Sequence, residues 1–107
     1  MSWGWTPIEE NDFAVLYDAG GYWVVEDRTR SDMPIRFQGQ TKTLKNIFID
    51  FAEDEEGVWL PVRTYYPKDQ FAYKLVLSAY RSLTAVRRRE FRKLERLMKA
   101  REGASYG

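Results

Sequence analysis

The 35 consecutive residues 68–102 contain neither glycine nor proline, and this stretch constrains the fold more than any other. Projected at about 100° per residue, Val76, Ala79, Tyr80, Leu83, Val86, Phe91, Leu94, Leu97 and Met98 fall within an arc of about 140°. Lys74, Arg81, Arg88, Arg89, Arg92, Lys93, Arg96 and Lys99 take the opposite side. No acid lies among them: Glu90 is on the apolar stripe, and Glu95 and Glu102 sit at its other border. The pattern predicts one amphipathic helix over 67–102. Pro67 suits the first helical position, Asp69 the first turn, and Gly103 the end, leaving 103–107 as a frayed tail.

Length then limits what can cover this helix. It would run about 50 Å at 1.5 Å per residue. A compact domain of this size is roughly 35 Å across. Residues 1–66 cannot shield the whole helix, so either it bends near Thr84 to Arg87 or its distal half projects. A projecting half would leave Phe91, Leu94, Leu97 and Met98 as an apolar stripe open to a second copy or a partner protein.

The preceding residues read as strands. Phe13-Ala-Val-Leu-Tyr17 and Tyr22-Trp-Val-Val-Glu26 are β-prone runs separated by Asp18-Ala-Gly-Gly21, the signature of an antiparallel hairpin. A charged loop from Asp27 to Pro34 leads to a short strand, Ile35-Arg-Phe-Gln38, closed by Gly39. Residues 41–56 fit two patterns. Leu44, Ile47, Phe48 and Phe51 form a helical stripe that Thr41 or Thr43 could cap. Ile47-Phe-Ile-Asp-Phe51 is instead rich in strand formers, and Glu53-Asp-Glu-Glu56 would oppose the dipole at a helix C-terminus. The second pattern is preferred: a hairpin turning at Glu55-Glu56-Gly57 into Val58–Tyr66, with Pro61 marking an edge strand or a bulge. Residues 1–12 read as an arm, with Trp3 and Trp5 flanking a glycine before Pro7. The expected fold is a single α+β domain over 1–107: a small, mainly antiparallel sheet of four or five strands within 13–66, then the long C-terminal helix. Most of the strand aromatics, Tyr17, Tyr22, Trp23, Trp59, Tyr65 and Tyr66, are expected in the core.

Charge is split along the chain. Residues 1–73 carry 13 acidic and 7 basic side chains, whereas 74–107 carry 3 acidic and 10 basic, although the whole chain is only +1. The chain contains no cysteine and no histidine. Disulfides, thiolate nucleophiles, zinc ribbons and iron–sulfur clusters are excluded by the first absence. Triad chemistry and imidazole ligands are excluded by the second. Asp12, Asp18, Glu26 and Asp27 show no spacing that singles out a catalytic pair, and Gly20-Gly21 is followed by no Gly-Lys-Ser/Thr phosphate cradle. The Glu53–Glu56 run lacks the alternate ligands and central glycine of a calcium loop. No catalytic residue, cofactor or metal site is therefore expected. The first ten residues have no basic and apolar leader pattern, and no apolar run spans a bilayer, so a cytoplasmic protein is expected.

These features predict a small non-enzymatic binding protein. Its helix would present Lys74, Arg81, Arg88, Arg89, Arg92, Lys93, Arg96 and Lys99 to a polyanion, most simply nucleic acid backbone, without strong sequence specificity. An acidic protein surface is the other partner for such a face. The alternative is a protein-interaction or assembly module, such as a small regulator or virion component. It would use Phe91, Leu94, Leu97 and Met98, together with Trp3 and Trp5, to form a homo-oligomer or dock a partner.

Overall fold

The computed structural model describes residues 4–41 and 46–106, with side chains through Gly103. Six strands are followed by one helix: β1 (Thr6–Glu10), β2 (Ala14–Asp18), β3 (Tyr22–Asp27), β4 (Phe37–Thr41), β5 (Ile47–Glu53), β6 (Trp59–Pro67) and α1 (Tyr73–Tyr106). All pairings are antiparallel, in the order β1-β2-β3-β6-β5-β4. Two three-stranded meanders thus join through the central β3–β6 pair, and the loop 28–36 carries the chain to the opposite edge.

The fold class agrees with the α+β expectation, but the sheet has six strands rather than four or five. The additional strand comes from the expected arm. Thr6–Glu10 pairs with β2, and the register shifts between Pro7 and Glu9. A proline that cannot donate to a ladder is tolerated at such an edge, beside a bulge.

Residues 47–53 are strand, as the preferred hairpin reading has it; Thr43 and Leu44 of the helical alternative lie outside the described residues. The β5–β6 turn is where it was expected. Asp54 Oδ1 accepts from the amides of Glu56 and Val58, both at 2.9 Å, and Gly57 takes φ +81°, which favours glycine. Pro61 marks a bulge in an interior strand, not an edge. The β5–β6 register shifts beside it, and β3 pairs with β6 only from Arg63 onward, so no neighbour needs an amide from Pro61.

Gly39 was expected to close a strand and instead lies inside β4. The Phe37 and Phe51 rings fold over it: a Cβ there would meet them at 3.2 and 3.1 Å. Two helix boundaries also shift. Pro67 closes β6 opposite Tyr22, and its carbonyl accepts from the Gln70 and Phe71 amides, forming a turn before α1 begins at Tyr73. At the other end the helix continues through Gly103 to Tyr106, so 103–106 is helical rather than frayed. A single glycine costs about 1 kcal/mol in a helix and does not by itself terminate one.

The helix lies over one sheet face. Side-chain alternation points Ala14, Leu16, Trp23, Val25, Val62 and Tyr66 toward it, and Val76 and Tyr80 complete a buried cluster with Ala14, Leu16 and Val25. The fully buried layer is therefore mostly small and aliphatic. The strand aromatics expected in the core are instead half-buried, and Trp59 is exposed. Rings of that size reach past a single sheet–helix layer of a small domain, so they pack around its margins and over its second face.

Candidate functional site

The helix carries the candidate site, and its base is fixed by polar contacts to the sheet. Tyr73 packs edge-on against Trp23, with centroids 5.3 Å apart. Asn11, between β1 and β2, uses its full hydrogen-bonding capacity. Its Nδ2 donates to Tyr80 Oη at 2.8 Å and Thr84 Oγ1 at 2.9 Å, while its Oδ1 accepts from the Phe13 and Ala14 amides at 2.7 and 3.0 Å. Burial pushes the Tyr80 hydroxyl above its ordinary pKa, against the opposing hydrogen bond from Asn11.

One turn further, Arg87 Nε donates to Asp27 Oδ2 at 2.7 Å. Asp27 is 2% exposed, and its other oxygen accepts from the Thr29 amide at 3.0 Å and the Thr29 hydroxyl at 2.5 Å. Burial opposes charge on Arg87, but its interactions with Asp27 and Glu90 together outweigh that and raise its pKa. Arg30, 3.7 Å from the same carboxylate, is shifted down by burial and by the neighbouring Arg87 charge. Arg87 also donates to Glu90 at 3.0 Å, which accounts for an acid on the apolar stripe.

Beyond Arg87 the helix leaves the sheet. Every side chain from Arg88 to Gly103 is exposed, and the molecule measures 58 Å along its long axis against 29 Å and 28 Å across. Of the two sequence alternatives, the projecting half is the one found. The Phe91 ring lies 5.9 Å from that of Phe13, and the Arg88 guanidinium lies 5.6 Å from the same Phe13 ring. Phe91, Leu94, Leu97 and Met98 remain 51–57% exposed.

All eight cations singled out from the sequence, Lys74, Arg81, Arg88, Arg89, Arg92, Lys93, Arg96 and Lys99, are exposed. Among the described residues none of them forms an ion pair; the pairs there use Arg30, Arg63, Lys68 and Arg87. Trp5 does not join the helix; it packs on Tyr17 and Tyr65 on the far side of the sheet. Trp3 lies outside the described residues.

That far side holds a polar cluster the sequence reading missed. Arg63 donates to Glu26 and Asp50, each at 3.0 Å. Asp50 also accepts from the Tyr65 hydroxyl at 2.5 Å and from Gln38 at 2.9 Å, and Tyr17 donates to Glu26 at 3.1 Å. Burial works against the Arg63 charge, yet the hydrogen bonds to Glu26 and Asp50 raise its pKa well above the usual value. Burial, followed by the bond to Asp50, pushes Tyr65 up to about 12. Asp50 and Arg63 sit inside apolar strand runs and Arg87 falls on the helix's apolar arc; charge in such places is the available sign of a buried pair.

Among the described residues, no group of three or more Asp, Glu, His or Cys side chains could hold a metal ion, and no helix is long and apolar enough to cross a membrane. Compared with protein-family models, curated proteins and solved structures, the chain matches none.

Proposed function

We propose that this chain is a small binding protein whose projecting helix docks on a polyanion, most simply the phosphate backbone of a nucleic acid. The observation that carries the reading is the unequal treatment of the cations. Arg30, Arg63, Lys68 and Arg87 are paired with Asp18, Glu26, Asp27 and Asp50, whereas among the described residues none of the eight on the outer helix face forms an ion pair. Like charges spaced three and four residues apart repel, and an external anion relieves that repulsion. Arginine predominates on the face, and its planar fork suits phosphate oxygens. Backbone contacts of this kind carry no base code, so binding is largely independent of sequence.

The test is binding to a labelled duplex and a labelled single strand across a salt series. If four to six cations reach phosphate, the log–log slope on duplex is about −4 to −5. The triple substitution Arg88→Glu, Arg92→Glu, Arg96→Glu abolishes that slope. Wild-type affinity in the triple variant, or no binding by the native chain at low salt, overturns the proposal.

A second reading rests on the half-exposed Phe91, Leu94, Leu97 and Met98. Spaced three and four residues apart, Phe91, Leu94 and Met98 follow a heptad seam, which suits pairing with a helix of a second copy. Light scattering decides it: a dimer that Leu94→Asp converts to monomer supports assembly, and a strict monomer at high concentration rejects it.

A further inference from the structure

On the sheet face turned away from α1, Trp5, Tyr22, Phe48 and Tyr65 wall a cleft of about 290 Å³, with Ala19 and Gln38 completing its lining. The rings come from four places in the chain: the residue before β1, then β3, β5 and β6. Neighbouring walls stand nearly perpendicular. Trp5 and Tyr65 meet at 78° with centroids 5.7 Å apart, Tyr22 and Tyr65 at 90° and 6.3 Å, and Tyr22 and Phe48 at 80° and 6.2 Å. Aromatic side chains that serve only as core interdigitate without gaps. Here they border an open cleft instead.

Two properties select what can occupy that space. The first is the charge beneath it. Gln38 and Tyr65 line the cleft and both hydrogen-bond Asp50, so the cleft lies directly above the Glu26–Arg63–Asp50 cluster. Two carboxylates against one guanidinium leave that cluster one negative charge in excess. The second is how the polar lining is used. The Tyr65 hydroxyl and the Gln38 amide nitrogen already donate to Asp50. An anion would find the Tyr65 hydroxyl proton and one of the two Gln38 amide protons engaged, and a negative charge below. A primary ammonium would give up its water for a wall that is mostly aromatic. A cation whose charge is covered by methyl groups has no N–H bonds to satisfy and gains from the negative faces of the rings.

We propose that this cleft binds a methylated ammonium group, held between Trp5, Tyr22, Phe48 and Tyr65 over the net negative Glu26–Arg63–Asp50 cluster. The group could arrive on a trimethylated lysine side chain or on a choline head group, and the recognition chemistry is the same for both. The site is separate from the cationic helix face and does not depend on that face binding a polyanion.

The experiment uses the full chain labelled with ¹⁵N and tetramethylammonium as the probe, with the Trp5 indole N–H followed in a titration. A saturable shift is expected at Trp5 and not at Trp59. The neutral carbon analogue of choline, 3,3-dimethylbutanol, should bind at least about tenfold more weakly, because it matches the shape and lacks the charge. Tyr22→Leu and Phe48→Leu, which keep apolar volume and remove the π face, should each weaken binding about tenfold, while Tyr22→Phe should retain it. Glu26→Gln should weaken it by removing the excess charge. A trimethyllysine peptide and phosphocholine vesicles form the last two arms, and tighter binding in either supports the assignment and identifies the carrier. Absence of a saturable shift overturns the proposal. So does equal binding of the neutral analogue, or tighter binding of adenosine monophosphate at the same resonances, which would make the cleft a base-stacking site.

Discussion

Arg87 and Asp27 meet at 2.7 Å across the sheet–helix boundary, and the helix changes character at that contact. On the N-terminal side α1 places Val76, Tyr80 and Thr84 in buried positions; on the C-terminal side every described side chain is exposed. The pair therefore fixes where the docked half ends and the projecting half begins. Removing one member strands the other. Arg87→Ala leaves a nearly inaccessible carboxylate supported only by Thr29 and the more distant Arg30, so a loss of about 3 kcal/mol is expected in urea unfolding. The double variant Asp27→Ala, Arg87→Met removes both charges and should cost less than the sum of its single changes, with the coupling energy read from a double-mutant cycle.

Asn11 offers a second check on how the helix is held. Its side chain joins the β1–β2 connection to two successive turns of α1 through Tyr80 and Thr84. Asn11→Ala breaks four hydrogen bonds and leaves partly buried donors and acceptors unmatched, so it should cost about 2 kcal/mol by thermal or urea unfolding. Arg81→Ala, on the exposed face of the same helix segment, should stay within about 0.5 kcal/mol of wild type.

The two halves of the helix should also answer differently to truncation of apolar side chains. Val76 is wholly buried, and Val76→Ala should cost about 2 kcal/mol. Leu94 is 55% exposed, and in the monomer Leu94→Ala should cost less than about 0.5 kcal/mol. If Leu94→Ala instead destabilises strongly and the melting temperature rises with protein concentration, the distal stripe is buried against another copy.

Much of this arrangement could be read from the sequence, and the parts that could not share a cause. The hairpin 14–27, the turn at Asp54–Gly57 and the long helix all follow from local pattern: alternation, a φ-positive glycine, and a 3.6-residue period without a breaker. The mismatch between helix length and domain size likewise implied either a bend or a projecting half. Local pattern failed where partners distant in sequence decide. Thr6–Glu10 looks like an arm until β2 is available to pair with it, and Gly39 looks like a strand end until Phe51 folds over it. Pro67 suits a helix start, but its pairing with Tyr22 extends β6 through it. The Asp50–Arg63–Glu26 cluster joins residues up to 37 apart, and spacing along the chain carries no trace of it.

Alkaline titration tests the far side of the sheet. An unfolded tyrosine ionises near pH 10, whereas Tyr65 in the folded chain is pushed up to about 12, chiefly by burial and then by its bond to the Asp50 carboxylate. Between those two values the folded state keeps a proton that the unfolded chain has released. Stability should therefore be unaffected by this group below pH 10 and should fall as the pH rises from 10 to 12. The ring is half-buried, and after screening by the solvent that reaches it the contribution is about 1 kcal/mol. Tyr65→Phe removes the ionisable group, so its unfolding free energy should decline less steeply than wild type across that window. Tyr66, also raised by burial, adds a component of the same sign that persists in the variant. Urea unfolding at half-unit pH steps for both proteins reads the difference, and identical slopes would show that Tyr65 ionises in the folded state as it does in the unfolded chain.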